Sequence, residues 1–145
     1  MIDQLQRPLH LLELRPNRKV GLIVIVRHQV ANESAKITRR AGRVLISRPT
    51  SYTESETFSI LFPRYFAYLV RDERGFPPDR NAVSEGRFFV TYRESSLLRF
   101  IEATAFSDDI RPHPLYHYGI YCSSDLVDVV SPDHPQISCL GLTNK

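Results

Sequence analysis

Along this chain, short apolar runs of strand length outnumber stretches with helical spacing, and Arg87 to Tyr92 alternates cleanly. Turn residues such as Pro16-Asn17 and Ser123-Ser124-Asp125 separate them. That pattern predicts short strands joined by turns. The run Val20 to Arg27 is β-branched and bounded by turn residues, which suits a strand buried on both faces. Residues 4–14 are apolar but interrupted by Pro8, reading as a short helix or an edge strand, with Pro16-Asn17 as the following turn. Residues 48–57 are polar and turn-rich, a surface loop. The two aromatic runs 58–62 and 65–70 are divided by Pro63, which cannot donate to a sheet ladder, so they form an edge, a bulge or two strands. In Arg87 to Tyr92, Phe88, Val90 and Tyr92 share one face while Phe89 and Thr91 share the other. Strands are also predicted over 116–122, 126–130 and 136–140, the first two joined by Ser123-Ser124-Asp125.

Two stretches carry helical spacing. Over about 95–106, Ser95 or Ser96 can cap a helix whose buried stripe is Leu97, Leu98, Ile101 and Ala105, ended by Ser107-Asp108-Asp109 and Pro112. This helix is expected at the centre of the core. Over 29–40, Val30, Ser34, Ile37 and Ala41 fall near helical spacing and Gly42 fits a C-terminal cap, so a second helix is the favoured reading. Its rival is a hairpin arm paired with Arg43–Ser47. The excess of strands and the short connections predict an α+β domain spanning residues 1–145: a mainly antiparallel sheet with one clear helix.

Composition changes little in this picture. At 42% hydrophobic and 24% charged, the chain is ordinary for a folded protein. The longest apolar run, Val20 to Val26, is far short of the ~20 residues needed to cross a bilayer, and no apolar leader follows Met1. The expectation is a cytoplasmic protein without membrane association. Cys122 and Cys139 sit in strand-like sequence outside any C-x-x-C pair, and are expected to be reduced core residues.

Charge is the more informative quantity. The first fifty residues carry ten Lys and Arg against three Asp and Glu, a local net of +7, whereas the rest of the chain nets −4. Sixteen of the nineteen basic residues are arginine, whose planar fork matches phosphate and carboxylate. Arg39, Arg40, Arg43 and Arg48 lie within ten residues of one another and form the candidate anion- or nucleic-acid-binding set. They predict a non-enzymatic binding or regulatory protein that meets an anionic macromolecule, nucleic acid or an acidic protein surface. The opposing charge of the remainder makes a homo-oligomer equally natural.

Catalytic signatures are sparse. His113 and His117 have H-x3-H spacing, but Pro114 and the strand-like sequence after it would hold them about 13 Å apart, too far to share an ion. His117 can reach Asp125 or Asp128 across a hairpin, which supplies the alternative reading of a small enzyme with an acid–base site around His117 and Asp125. His134 beside Asp133 is a further candidate. The loop 71–86, the longest in the chain, would border such a site. Residues 85–92 can be laid beside the RNP1 pattern of RNA-binding sheets. Glu85 there reverses a charge, Arg87 replaces a stacking aromatic and Phe88 replaces a small residue, so the match fails and the aromatics read as sheet packing. No motif calls for a metal or a cofactor.

Overall fold

The computed structural model describes residues 2–29, 36–40, 43–47, 55–75, 78–104 and 114–143. A 3-10 turn over Ile2–Leu5 leads into β1 (Leu9–Asn17) and β2 (Gly21–His28), followed by β3 (Lys36–Arg40) and β4 (Arg43–Ser47). Next come β5 (Ser55–Phe62), β6 (Ala67–Asp72), β7 (Val83–Glu85) and β8 (Phe89–Glu94). The helix α1 (Ser96–Thr104) precedes β9 (Tyr116–Tyr121), β10 (Asp125–Ser131) and β11 (Gln136–Thr143). The strands form a four-stranded sheet in the order β1-β2-β5-β11, a five-stranded sheet in the order β6-β10-β9-β8-β7, and the separate pair β3-β4. Neighbours within each sheet run antiparallel. This is the expected α+β class: antiparallel sheets with a single α-helix among the described residues.

The two larger sheets share one core. Leu22, Val24 and Val26 of β2 and Phe58, Ile60 and Phe62 of β5 pack in the same cluster as Phe89, Tyr118, Ile120, Val127 and Val129 of the five-stranded sheet. Each such side chain fully removed from water contributes about 1.5–3 kcal/mol. Strand geometry is the cause, because alternate residues of each strand line one face. In β2 the opposite face, Ile23, Ile25 and Arg27, is only half-buried, so this strand is not covered equally on both sides. Pro63 divides β5 from β6 as two separate strands, in different sheets. Strand β5 begins at Ser55, inside the stretch expected as loop, and the ends of the 71–86 stretch belong to β6 and β7.

Two further expectations are corrected. Residues 36–40 do not continue a helix over 29–40; they are strand, paired with 43–47 from Lys36↔Ser47 to Arg40↔Arg43. Ile37, Thr38, Val44 and Ile46 are β-branched and lose side-chain freedom in a helix, and only two residues separate the arms, the commonest hairpin spacing. The helix α1 is also not the centre of the core. Of its nine residues only Leu98 is buried, and Leu97 and Ile101 are half-buried. The core lies between the sheets and α1 packs outside it, against β9. Among the described residues no helix is long and apolar enough to cross a membrane.

Candidate functional site

Strands β9 and β10 form a hairpin whose alternate residues face opposite ways. Tyr118, Ile120, Val127 and Val129 enter the core, so His117, Gly119, Tyr121, Leu126 and Asp128 occupy the outer face of the five-stranded sheet. Asp128 pairs in register with Gly119 on one side and Leu69 on the other. A Cβ at Gly119 would lie 2.7 Å from Cζ and 2.9 Å from Cε1 of Tyr121. Only glycine therefore allows the Tyr121 ring to lie back over its own strand. That placement brings its hydroxyl to within 3.4 Å of Asp128 Oδ1 and into a hydrogen bond with the Tyr92 hydroxyl.

Around Asp128 the outer face carries a buried polar network. His117 Nε2 lies 2.8 Å from Asp128 Oδ1, and His117 Nδ1 lies 2.8 Å from Ser95 Oγ. Arg71 donates to Asp128 Oδ2 through Nε at 3.0 Å and Nη2 at 2.8 Å. Tyr92, opposite His117 in register, stacks its ring on the imidazole at 4.1 Å and 11°. Ser95 is the N-cap of α1, its Oγ accepting the Leu98 amide at 3.0 Å. With that lone pair occupied, the arrangement that satisfies every group has Ser95 donating to Nδ1 and Nε2–H donating to Asp128. Ser95, His117 and Asp128 are each under 5% exposed. Among the described residues no buried side-chain nitrogen or oxygen lacks a hydrogen-bond partner.

Above this floor is a pocket of about 960 Å³. Arg71, Tyr92, Ser95, His117, Tyr121 and Asp128 line it together with the apolar Leu69, Leu97, Leu126, Pro78 and Ala82 and the charged Glu73, Asp79 and Arg80. Burial pushes the Tyr92 phenol up, and pushes Tyr121 further up with help from its bond to Tyr92 and the Asp128 charge. Both therefore remain protonated hydroxyls at neutral pH. Asp79 accepts the Ser96 amide at 2.8 Å and the Asn81 amide at 3.1 Å, which hold its carboxyl below the usual range.

Serine, histidine and aspartate in contact invite comparison with a nucleophilic triad, but the chemistry differs. A nucleophilic serine needs an exposed hydroxyl whose proton passes to the histidine. Ser95 is 2% exposed and engaged as a helix cap. As in a triad, the two nitrogens of His117 are bonded to Ser95 and Asp128, so the burial and capping role of Ser95 carry the distinction, with one imidazole face also covered by Tyr92. The network is thus a rigid base that fixes the positions of Arg71, Tyr92 and Tyr121.

The sequence expectations meet this site unevenly. Of the two aspartates within reach of His117, Asp128 is the one bonded to it; Asp125 begins β10 opposite Asp72. Within the 71–86 stretch, Arg71, Asp79 and Ser84 line the pocket. Arg40 pairs with Arg43 and Arg39 with Val44 in the β3-β4 hairpin, while Arg48 and His113 lie outside the described residues. His134 meets the Tyr118 hydroxyl at 2.5 Å, and Asp133 binds Arg64 at 2.7 and 2.8 Å rather than His134. Cys122 is buried, its thiol pushed up to about 12 by burial, whereas Cys139 is exposed and so is not a core residue. Phe89 is 1% exposed in the core, as expected for an aromatic that packs a sheet. No group of acidic, histidine and cysteine side chains able to hold a metal occurs among the described residues. Arg71, Tyr92 and Tyr121 were not singled out by sequence; Gly119, between aromatics in a buried strand, was the available signal of a close approach. No family model matches this chain, and neither does any curated protein or solved structure.

Proposed function

We propose that this protein is a binding protein that holds a small organic molecule, apolar in body and polar at one end, on the outer face of its five-stranded sheet. The observation that carries the reading is the pocket of about 960 Å³ over an internally satisfied base of Arg71, Tyr92, Tyr121, His117 and Asp128. Small-molecule sites combine this size range with apolar walls and a few convergent polar groups. A base held by its own hydrogen bonds needs no rearrangement to receive a ligand, which lowers the cost of binding. The buried wiring of Ser95 and His117 favours holding over covalent chemistry. Ligand-observed NMR against a fragment collection tests this. Binders should emerge, and Ser84→Trp, which places an indole into the pocket from the exposed strand β7, should weaken their signals without lowering the melting temperature. A collection that yields no binder, or binders indifferent to Ser84→Trp, would refute it.

A second reading concerns the hairpin. Arg40 and Arg43 are partners in its backbone register and Arg39 precedes them in sequence. Three always-charged residues on one short hairpin suit an anionic macromolecule, nucleic acid or an acidic protein surface. Affinity for oligonucleotides that falls with salt, with a slope flattened by changing Arg39, Arg40 and Arg43 to serine, would support it. Absence of binding at low salt would oppose the nucleic-acid form.

A further inference from the structure

We infer that β11 is a self-association edge, on which a second copy of this chain adds its own β11 antiparallel to make one continuous eight-stranded sheet. The four strands at the edges of the two larger sheets, β1, β11, β6 and β7, differ in how they are protected. An edge presents unpaired amides and carbonyls, and proteins blunt it with charge, proline, a bulge or short length. Strand β1 carries Glu13, Arg15 and Pro16, and although β1 and β11 each hold one bulge, only β1 adds charge and proline to it. Strand β7 has three residues, one of them Glu85. Strand β6 ends in Arg71 and Asp72. Strand β11 has eight residues, Gln-Ile-Ser-Cys-Leu-Gly-Leu-Thr, with neither charge nor proline.

Its outward side is also apolar and open. Leu140 and Leu142 are 59% and 61% exposed, among the most exposed large apolar side chains described. The bulge between Cys139 and Gly141 places Leu140 outside the regular pairing with β5. Gly141 has φ +98°, the left-handed conformation that such a bulge needs, and a Cβ there would meet nothing within 4 Å.

The occupant that fits is another β11. Unpaired strand edges ask for a strand, and antiparallel pairing of a segment with itself satisfies two-fold symmetry, each residue receiving the contact it gives. An uncharged strand meets its copy without repulsion, which a charged edge such as β6 or β1 would not ensure. Two copies of Leu140 and Leu142 would be withdrawn from water by the same contact.

Sedimentation of the full chain across a concentration series tests the inference. The parent protein should be a dimer at high concentration, and its amides over 136–143 should exchange more slowly there than when diluted. Leu140→Lys with Leu142→Lys should weaken dimerisation by more than about tenfold with unchanged circular dichroism. Mixing that variant with Leu140→Glu/Leu142→Glu should restore association as a heterodimer. If the lysine variant is poorly folded, the exchange of the parent over 136–143 decides alone. A parent that stays monomeric at high concentration, a dimer unaffected by the lysine pair, or exchange over 136–143 independent of concentration would each overturn the inference.

Discussion

Removing Asp128 should be among the most damaging single changes to this protein. The side chain is 3% exposed and accepts from His117 Nε2, from both Arg71 Nε and Nη2, and from the Tyr121 hydroxyl. Asp128→Ala leaves the Arg71 guanidinium, itself only 21% exposed, without this counter-charge, and leaves His117 Nε2–H unsatisfied in a site that is 5% exposed. Breaking a buried charge pair from one side costs about 3–5 kcal/mol. The partial exposure of Arg71 draws the estimate to the lower end, about 3 kcal/mol. Against a total stability of about 5–15 kcal/mol, that is a substantial fraction. Urea unfolding followed by circular dichroism measures it. Arg71→Ala alone should cost less, because water can reach part of that site. The double variant should be more stable than the sum of the single losses predicts, with a coupling of about 1–3 kcal/mol. An Asp128→Ala loss below about 1 kcal/mol, or strictly additive variants, would show that the network does not hold the outer face together.

Other expectations are compact. Ile60→Ala, in the shared core, should lose about 2–5 kcal/mol, whereas Leu98→Ala, on a helix outside that core, should fall at or below the bottom of that range; equal losses in urea unfolding would contradict the packing described. Ser95→Ala removes the α1 cap and the His117 Nδ1 partner together and should cost about 1–2 kcal/mol by the same assay, while a neutral result would mean that the cap is dispensable. Burial and the neighbouring Tyr116 push the Tyr118 phenol up to about 12, and Tyr92 and Tyr121 are raised too, so the folded state holds these protons more tightly than the unfolded chain. Stability from this source is complete below about pH 10 and is lost as pH rises towards about 12. Denaturant midpoints that do not fall between about pH 9 and about pH 11.5 would contradict it.

The parts of the fold legible in the sequence are those decided locally. The Gly21–His28 strand, the break at Pro63, the Ser95 cap and the 116–131 hairpin each follow from patterns within about ten residues. The hairpin at 36–47 was ambiguous because Val30, Ser34, Ile37 and Ala41 satisfy helical spacing, and a glycine after them serves equally as a helix cap or as a turn residue. Its β-branched positions were the better guide. The site was visible only in part for a different reason. His117 and Asp128 belong to one hairpin and their meeting could be foreseen, but Arg71, Tyr92 and Tyr121 join them through the register of four strands. Sequence patterns around each residue do not encode that register. The peripheral place of α1 had the same origin: its stripe was readable, its packing partner was not.

The measurement that bears most directly on the account is protein-observed NMR of methyl-labelled leucines with fragments that bind. The account predicts shifts for Leu69, Leu97 and Leu126, which wall the pocket, together with intermolecular contacts to the Tyr92 and Tyr121 rings, while Leu22 between the sheets stays unmoved. Shifts confined to residues away from the outer face of the five-stranded sheet would contradict it.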